Sequence, residues 1–179
     1  MDIDLLKDYK DYLDGLIKAR SGIIFTNGGK EHASILMSKM FEQTSHEIRM
    51  YCEGFKPDLI ATDTYLAALK AYLESGRVLS VLIEDNSYVN AEPFNLLREE
   101  RNKRGDSTIQ YRLINGDSQE IIKNFSKGHC NFAVFDKDKF RLEISPKEYK
   151  AVGSFNSPDN AQALIDVFDK AFDKADVIN

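Results

Sequence analysis

The sequence predicts an α/β domain: one mixed β-sheet with helices on both faces. Three observations carry that prediction. Ile48, Met50 and Cys52 alternate with polar residues, Leu66, Leu69, Tyr72 and Leu73 follow at helical spacing, and Val78–Ile83 is almost continuously apolar. Strand, helix, strand in that order is a βαβ unit and requires parallel pairing. Further on, His129–Phe135 and Lys139–Ser145 flank Asp136-Lys137-Asp138, the pattern of an antiparallel hairpin. Finally, amphipathic helices bracket the chain, and each needs a sheet face to cover.

In chain order, Ile3, Leu6, Tyr9, Leu13, Leu16 and Ile17 mark an amphipathic helix over residues 3–20. Thr26-Asn27-Gly28-Gly29 reads as a turn that starts the next helix, because Asn and Gly accept capping and left-handed geometry. Ala33, Leu36, Met37, Met40 and Phe41 carry that helix to about residue 44. The helix before Val78 can end in a left-handed cap at Gly76. The Val78–Ile83 run suits a strand covered on both faces. A polar-faced helix over Pro93–Lys103, closed by Gly105, precedes a strand at Thr108–Ile114 and a short helix at Ser118–Phe125. After the hairpin come a sixth strand at Tyr149–Ser154 and a last helix bearing Leu164, Ile165, Phe168 and Phe172. No repeat or linker interrupts this. Residues 1–24 hold the first helix, and 25–179 form the domain.

Composition narrows the function. The chain has 179 residues, 42% apolar, enough for one core and short for two domains. Net charge is −5, so no overall electrostatic pull draws the molecule to nucleic acid or anionic lipid. Between Asp117 and Lys150, seven basic residues face six acidic ones, so this region is close to neutral. Cys52 and Cys130 make no disulfide framework, and no apolar run reaches the roughly 18 residues that span a bilayer. Met1-Asp2-Ile3-Asp4 lacks the basic start of a signal peptide. The expectation is a cytoplasmic protein with no membrane insertion.

The residues with chemical content cluster late. His129-x-Asn131-x4-Asp136 is followed by Gly153-Ser154-Phe155-Asn156. On a strand, His129 and Asn131 would face one side and Cys130 the other. The pair of motifs resembles the phospholipase D superfamily signature, HxKxxxxD followed by GSxN, over roughly residues 25–175. That resemblance implies a phospholipase D-like half-domain, a histidine nucleophile at His129, and a phosphohistidine intermediate. Asp136 would hold the site together, Asn131, Ser154 and Asn156 would meet the phosphate, and no cofactor would be needed. A single motif copy resembles the Nuc-type bacterial endonucleases, which pair two chains. It therefore implies a homodimer with a nucleic acid or other phosphodiester ligand in a shared cleft.

Three departures from the family pattern bear on activity. Asn131 stands where the family carries its phosphate-gripping lysine, and a neutral amide brings no charge to a dianionic transition state. Sixteen residues separate Asp136 from Gly153, where the family's spacing is much tighter. Ser157-Pro158-Asp159 starts a helix directly, with no acid aligned to orient the histidine. Lys127, two residues before His129, is the candidate substitute cation, set against a plain solvated lysine.

Other candidates weigh towards structure. Cys130 reads as a core cysteine, and His32 and His46 as packing or surface residues without metal-ligand spacing. Thr26-Asn27-Gly28-Gly29-Lys30 lacks the GxxxxGK[ST] pattern of a phosphate loop. Arg98, Arg101, Lys103 and Arg104 are interleaved with Glu99 and Glu100 as on a solvated helix face. Two readings remain: a phosphodiesterase acting on nucleic acid through His129, or a catalytically silent module that binds phosphate-bearing ligands or mediates dimeric assembly. An unrelated α/β domain with a chance motif is the third.

Overall fold

The computed structural model describes residues 3–54, 63–90, 92–105, 107–126 and 130–178. Its helices are α1 (Ile3–Lys18), α2 (Lys30–Gln43), α3 (Asp63–Glu74), α4 (Glu92–Arg104), α5 (Gly116–Phe125) and α6 (Pro158–Lys174). Its strands are β1 (Phe25–Asn27), β2 (Glu47–Cys52), β3 (Val78–Ile83), β4 (Ile109–Leu113), β5 (Phe132–Phe135), β6 (Lys139–Ser145), β7 (Lys150–Ser154) and β8 (Asp176–Val177). They form one sheet in the order β1-β7-β6-β5-β2-β3-β4-β8. The β2, β3 and β4 strands run parallel, while every other neighbouring pair is antiparallel. The mixed α/β class expected from the βαβ pattern and the hairpin is the one observed.

Local chemistry explains most boundaries. Gly76 (φ 82°) and Gly105 (φ 62°) take left-handed backbone just past α3 and α4, where a side chain would be strained. Asn115 and Ser118 form a reciprocal capping box at the start of α5. Pro158 opens α6 at a position that has no N–H to lose.

Each sheet face carries its own core. Ile48, Met50, Leu79, Val81, Ile83, Ala133 and Phe135 lie under α1 to α4. Tyr51, Leu82, Phe132, Val134 and Phe140 lie under α5 and α6, against Ile122, Leu164, Ile165 and Phe168. The β3 strand contributes to both, as its apolar run implied. Leu13 of α1 is fully buried in the first core. Burying a leucine stabilises by about 1.5–3 kcal/mol, so α1 is packed into the fold.

Two edge strands depart from expectation. Thr26 and Asn27, read as the start of a turn, belong with Phe25 to strand β1, paired through Phe25↔Gly153, Thr26↔Val152 and Asn27↔Ala151. Asp176–Val177 adds to β4 at the opposite edge. Segments of two or three residues hold too little periodicity to read, and only the pairing partner makes them strands.

Topology places the motif. The parallel strands end at Cys52, Ile83 and Leu113, and β5 begins beside the end of β2 through the pair Tyr51↔Phe132. Asn131 therefore arrives at the carboxyl edge of the parallel strands, where open α/β sheets hold their ligands.

Candidate functional site

Asn131 immediately precedes β5, and its side chain is committed to the protein itself. Its Nδ2 donates to Glu143 Oε2 at 2.6 Å, and its Oδ1 accepts from the Glu53 N–H at 3.0 Å. Its carbonyl accepts from the Glu143 N–H at 2.8 Å. Glu143 is only 4% exposed, and its Oε1 pairs with Arg141 Nη1 at 3.0 Å. Arg141, 5% exposed, also donates through Nε to Asn27 Oδ1 at 3.3 Å. Asn27 Nδ2 completes the chain by donating to the Tyr149 carbonyl at 2.8 Å. A polar network thus runs from β1 through β6 to the motif position, inside the sheet face covered by α1 and α2.

The surroundings of Asn131 are acidic. Cys52, which ends β2, has its thiol pushed up to about 12, first by burial and then by the carboxylates of Glu143, Glu53 and Glu84. Burial raises Cys130 too, against a hydrogen bond with Ser126 that lowers it, and Glu84 and Glu143 add to the rise. Cys130 is buried in the second core, the packing role expected for it. Among the described residues, Arg141 is the cation bonded to this group of carboxylates. His129 and Lys127 lie outside the described residues.

Asp136 sits at the far end of β5 in left-handed backbone (φ 57°). Its carboxylate accepts from the N–H groups of Ser45 (2.9 Å), His46 (2.8 Å) and Glu47 (3.3 Å), and pairs with Lys139 at 3.0 Å. Burial pushes the Asp136 carboxyl up. The Ser45 N–H, Lys139 and the His46 N–H outweigh it and hold the group below the ordinary carboxylate range. Asp136 ties the hairpin turn to the start of β2, a holding role.

GSFN falls elsewhere than its motif reading expected. The β6 strand is antiparallel to both β5 and β7, so β5 and β7 run the same way. Asn131 precedes β5, whereas Asn156 follows β7. Ser154 pairs with Phe140, and Phe140 with Val134, which puts Ser154 level with Val134, three residues along from Asn131. At a rise of about 3.3 Å per residue, that sets Ser154 roughly 10 Å along the strands from Asn131, with β6 between their strands. The sequence expectation grouped Ser154 and Asn156 with Asn131; in the structure Ser154 ends β7, Asn156 follows it, and Asn131 precedes β5. The physical reason is the spacing: the sixteen residues after Asp136 hold all of β6 and start a third strand, where a tighter spacing would keep GSxN on the returning strand.

Packing accounts for each letter of GSFN. A Cβ on Gly153 would stand 2.8 Å from the Phe140 carbonyl oxygen and 3.3 Å from the Phe25 ring. Ser154 is fully buried, and its Oγ accepts from the Asn156 N–H at 3.2 Å. Phe155 packs on Phe25 with centroids 5.4 Å apart. Asn156 Nδ2 donates to the Arg20 carbonyl at 2.9 Å, fastening the segment after α1.

Glu143 is the residue that sequence reasoning missed, and with it the pairing of Arg141. The alternation of Lys139, Arg141 and Glu143 with Phe140, Leu142 and Ile144 puts the three charges on one face. In the structure that face is the covered one, while Ile144 is 61% exposed. The helix-borne cations are less free than expected: Arg104 pairs with Glu100, and Arg101 lies over the Tyr111 ring. Among the described residues, no group of His, Cys, Asp and Glu could hold a metal ion.

The fold is phospholipase D-like. The chain is similar to Nuc, a phospholipase D family member from Salmonella typhimurium (TM-score 0.61, 15% identity, 88% of this chain and 99% of that one). It is similar to NucT from Helicobacter pylori (TM-score 0.58, 10% identity, 87% and 100% covered). It also matches TrmBL2, an archaeal chromatin protein whose structure shows a novel mode of DNA binding (TM-score 0.57, 14% identity, 96% and 62% covered). No protein-family model matches the sequence, and no curated protein does. Among the described residues, no helix is long and apolar enough to cross a membrane.

Proposed function

We propose that this chain is a phospholipase D-like module that has lost phosphodiester cleavage and serves, as a cytoplasmic homodimer, in an assembly that contacts nucleic acid. One observation carries the reading: the Asn131 amide is spent on Glu143 and the Glu53 N–H, beside a buried carboxylate. Phosphoryl transfer needs positive charge on the non-bridging oxygens, and the groups around Asn131 supply the opposite. The separation of GSFN from Asn131 supports the same conclusion. Nucleic acid is favoured as the ligand because TrmBL2, a DNA-binding chromatin protein, is similar to 96% of this chain, more of it than Nuc or NucT. The family's phosphate chemistry points the same way.

The competing reading is an active nuclease with His129 as nucleophile and Lys127 as its cation, supported by the likeness to Nuc and NucT. One experiment separates the two. Wild-type protein and His129→Ala are incubated with single- and double-stranded DNA and RNA and with a generic phosphodiester, all in EDTA. Binding to the same nucleic acids is measured in parallel. Cleavage indistinguishable from His129→Ala, with retained binding, is the expected result. Cleavage that disappears in His129→Ala would overturn the proposal in favour of the nuclease.

A further inference from the structure

One side of α1 carries apolar side chains that the fold does not bury. Leu13 and Leu16 lie in the first core, whereas Leu5 is 58% and Tyr12 47% exposed on the same helix. Leu5, Tyr12 and Ala19 are seven residues apart, with Asp8 and Gly15 each three residues further on, and all five are exposed. The Ala19 N–H bonds to the Gly15 carbonyl at 3.0 Å, so the helical turn reaches Ala19. That spacing sets the five residues in one stripe along the helix, the kind of seam on which a second helix packs. Of the eight large apolar side chains exposed among the described residues, four lie between Leu5 and Ile24, so the patch belongs to this segment.

Gly15 has no role inside the chain. It sits within the helix, its backbone is not left-handed, and a Cβ built on it meets nothing within 4 Å. Glycine in a helix interior weakens the helix relative to alanine, and no neighbour in this chain offsets that. Its missing side chain makes room on the outer surface of the helix, beside Tyr12. Charge is laid out along the same stripe. Asp11 and Lys18, also seven apart and both exposed, border it on one side, and neither is in an ion pair among the described residues. A parallel copy would set like charges against each other, whereas an antiparallel copy sets acid against base. Turned end for end, a second α1 also sets a tyrosine ring over a glycine, large against small, and each contact occurs twice about a twofold axis.

We propose that α1 pairs antiparallel with α1 of a second copy, Tyr12 of each lying over Gly15 of the other and Asp11 of each beside Lys18 of the other. This names the interface of the homodimer in the reading above and rests on that part of it. The acids Asp8 and Asp11 on the exposed side disfavour an anionic membrane as the occupant.

Sedimentation equilibrium of the intact chain over a range of concentrations tests this. Wild type is compared with Gly15→Leu, Asp11→Lys, Lys18→Asp and the double variant Asp11→Lys with Lys18→Asp. The expected result is a wild-type dimer whose Kd rises about tenfold in Gly15→Leu and in each single charge reversal, and returns close to wild type in the double variant. Recovery in the double variant separates a charge contact from damage to the fold. A dimer that none of these variants weakens would overturn this interface and leave the homodimer standing. A monomer at every concentration would overturn both. A double variant no tighter than its two parents would overturn the antiparallel register.

Discussion

Asn131 and Glu143 are bound to each other twice, side chain to side chain at 2.6 Å and Glu143 N–H to Asn131 carbonyl at 2.8 Å. Asn131 is thus paired with a carboxylate that is itself buried and shared with Arg141. A change at position 131 alone reaches that carboxylate before it reaches a substrate.

Placing a lysine at position 131 should accordingly fail to confer cleavage. In Asn131→Lys, the new ammonium meets Glu143 and is neutralised by it. DNA and RNA cleavage in EDTA should stay at the level of the His129→Ala protein. Robust cleavage would show that the carboxylate does not control the position.

Removing Glu143 should be severe for stability. Glu143→Ala leaves Arg141 buried without its charge partner, a loss of about 3–5 kcal/mol. Replacing both members together, Arg141→Met with Glu143→Leu, should recover much of it, because the desolvation cost disappears along with the pair. Urea denaturation of the two single variants and the double variant measures this directly.

Asp136 should make stability depend on pH in the acid range. Its folded carboxyl lies below the unfolded value of about 3.9, so its stabilisation is present above that value and is lost as pH falls through the folded one. Asp136→Asn should be less stable than wild type by about 1–3 kcal/mol at neutral pH, since a neutral amide serves three N–H groups and Lys139 poorly. The gap should close in acid. Denaturation midpoints from neutral pH down to the acid limit of the folded state would reveal it, and a constant gap would contradict the assignment.

GSFN should behave as a packing element. Gly153→Ala forces a methyl against the Phe140 carbonyl and the Phe25 ring and should cost about 1–3 kcal/mol. Asn156→Ala should cost about 1 kcal/mol through its lost bond to the Arg20 carbonyl, with nucleic-acid binding unchanged. Thermal melts with a filter-binding assay decide. A large binding defect in Asn156→Ala at retained stability would restore a ligand role for the motif.

Much of the fold was legible because it rests on long periodic segments. The βαβ unit, the hairpin with Asp136 at its turn, and the amphipathic first and last helices each repeat a pattern over enough residues to be read. The candidate site was legible only in part. That position 131 is an asparagine and that Asp136 sits at a hairpin turn follow from single letters and neighbouring turns. The placement of GSFN does not, although the sixteen-residue gap before Gly153 was its visible trace.

The sequence by itself determined the class of fold, the order of its main elements and the absence of a lysine at position 131, because these are local properties of chain and spacing. The tertiary structure decided which face of the hairpin is covered. It therefore decided that Arg141 and Glu143 are a buried pair and that Asn156 follows the end of β7 while Asn131 precedes the start of β5. The physical reason is that alternation on a strand fixes which side chains share a face but leaves open which face water keeps. Helices distant in sequence from β6, α1 to α4, settle that by building the first core on that face of the sheet.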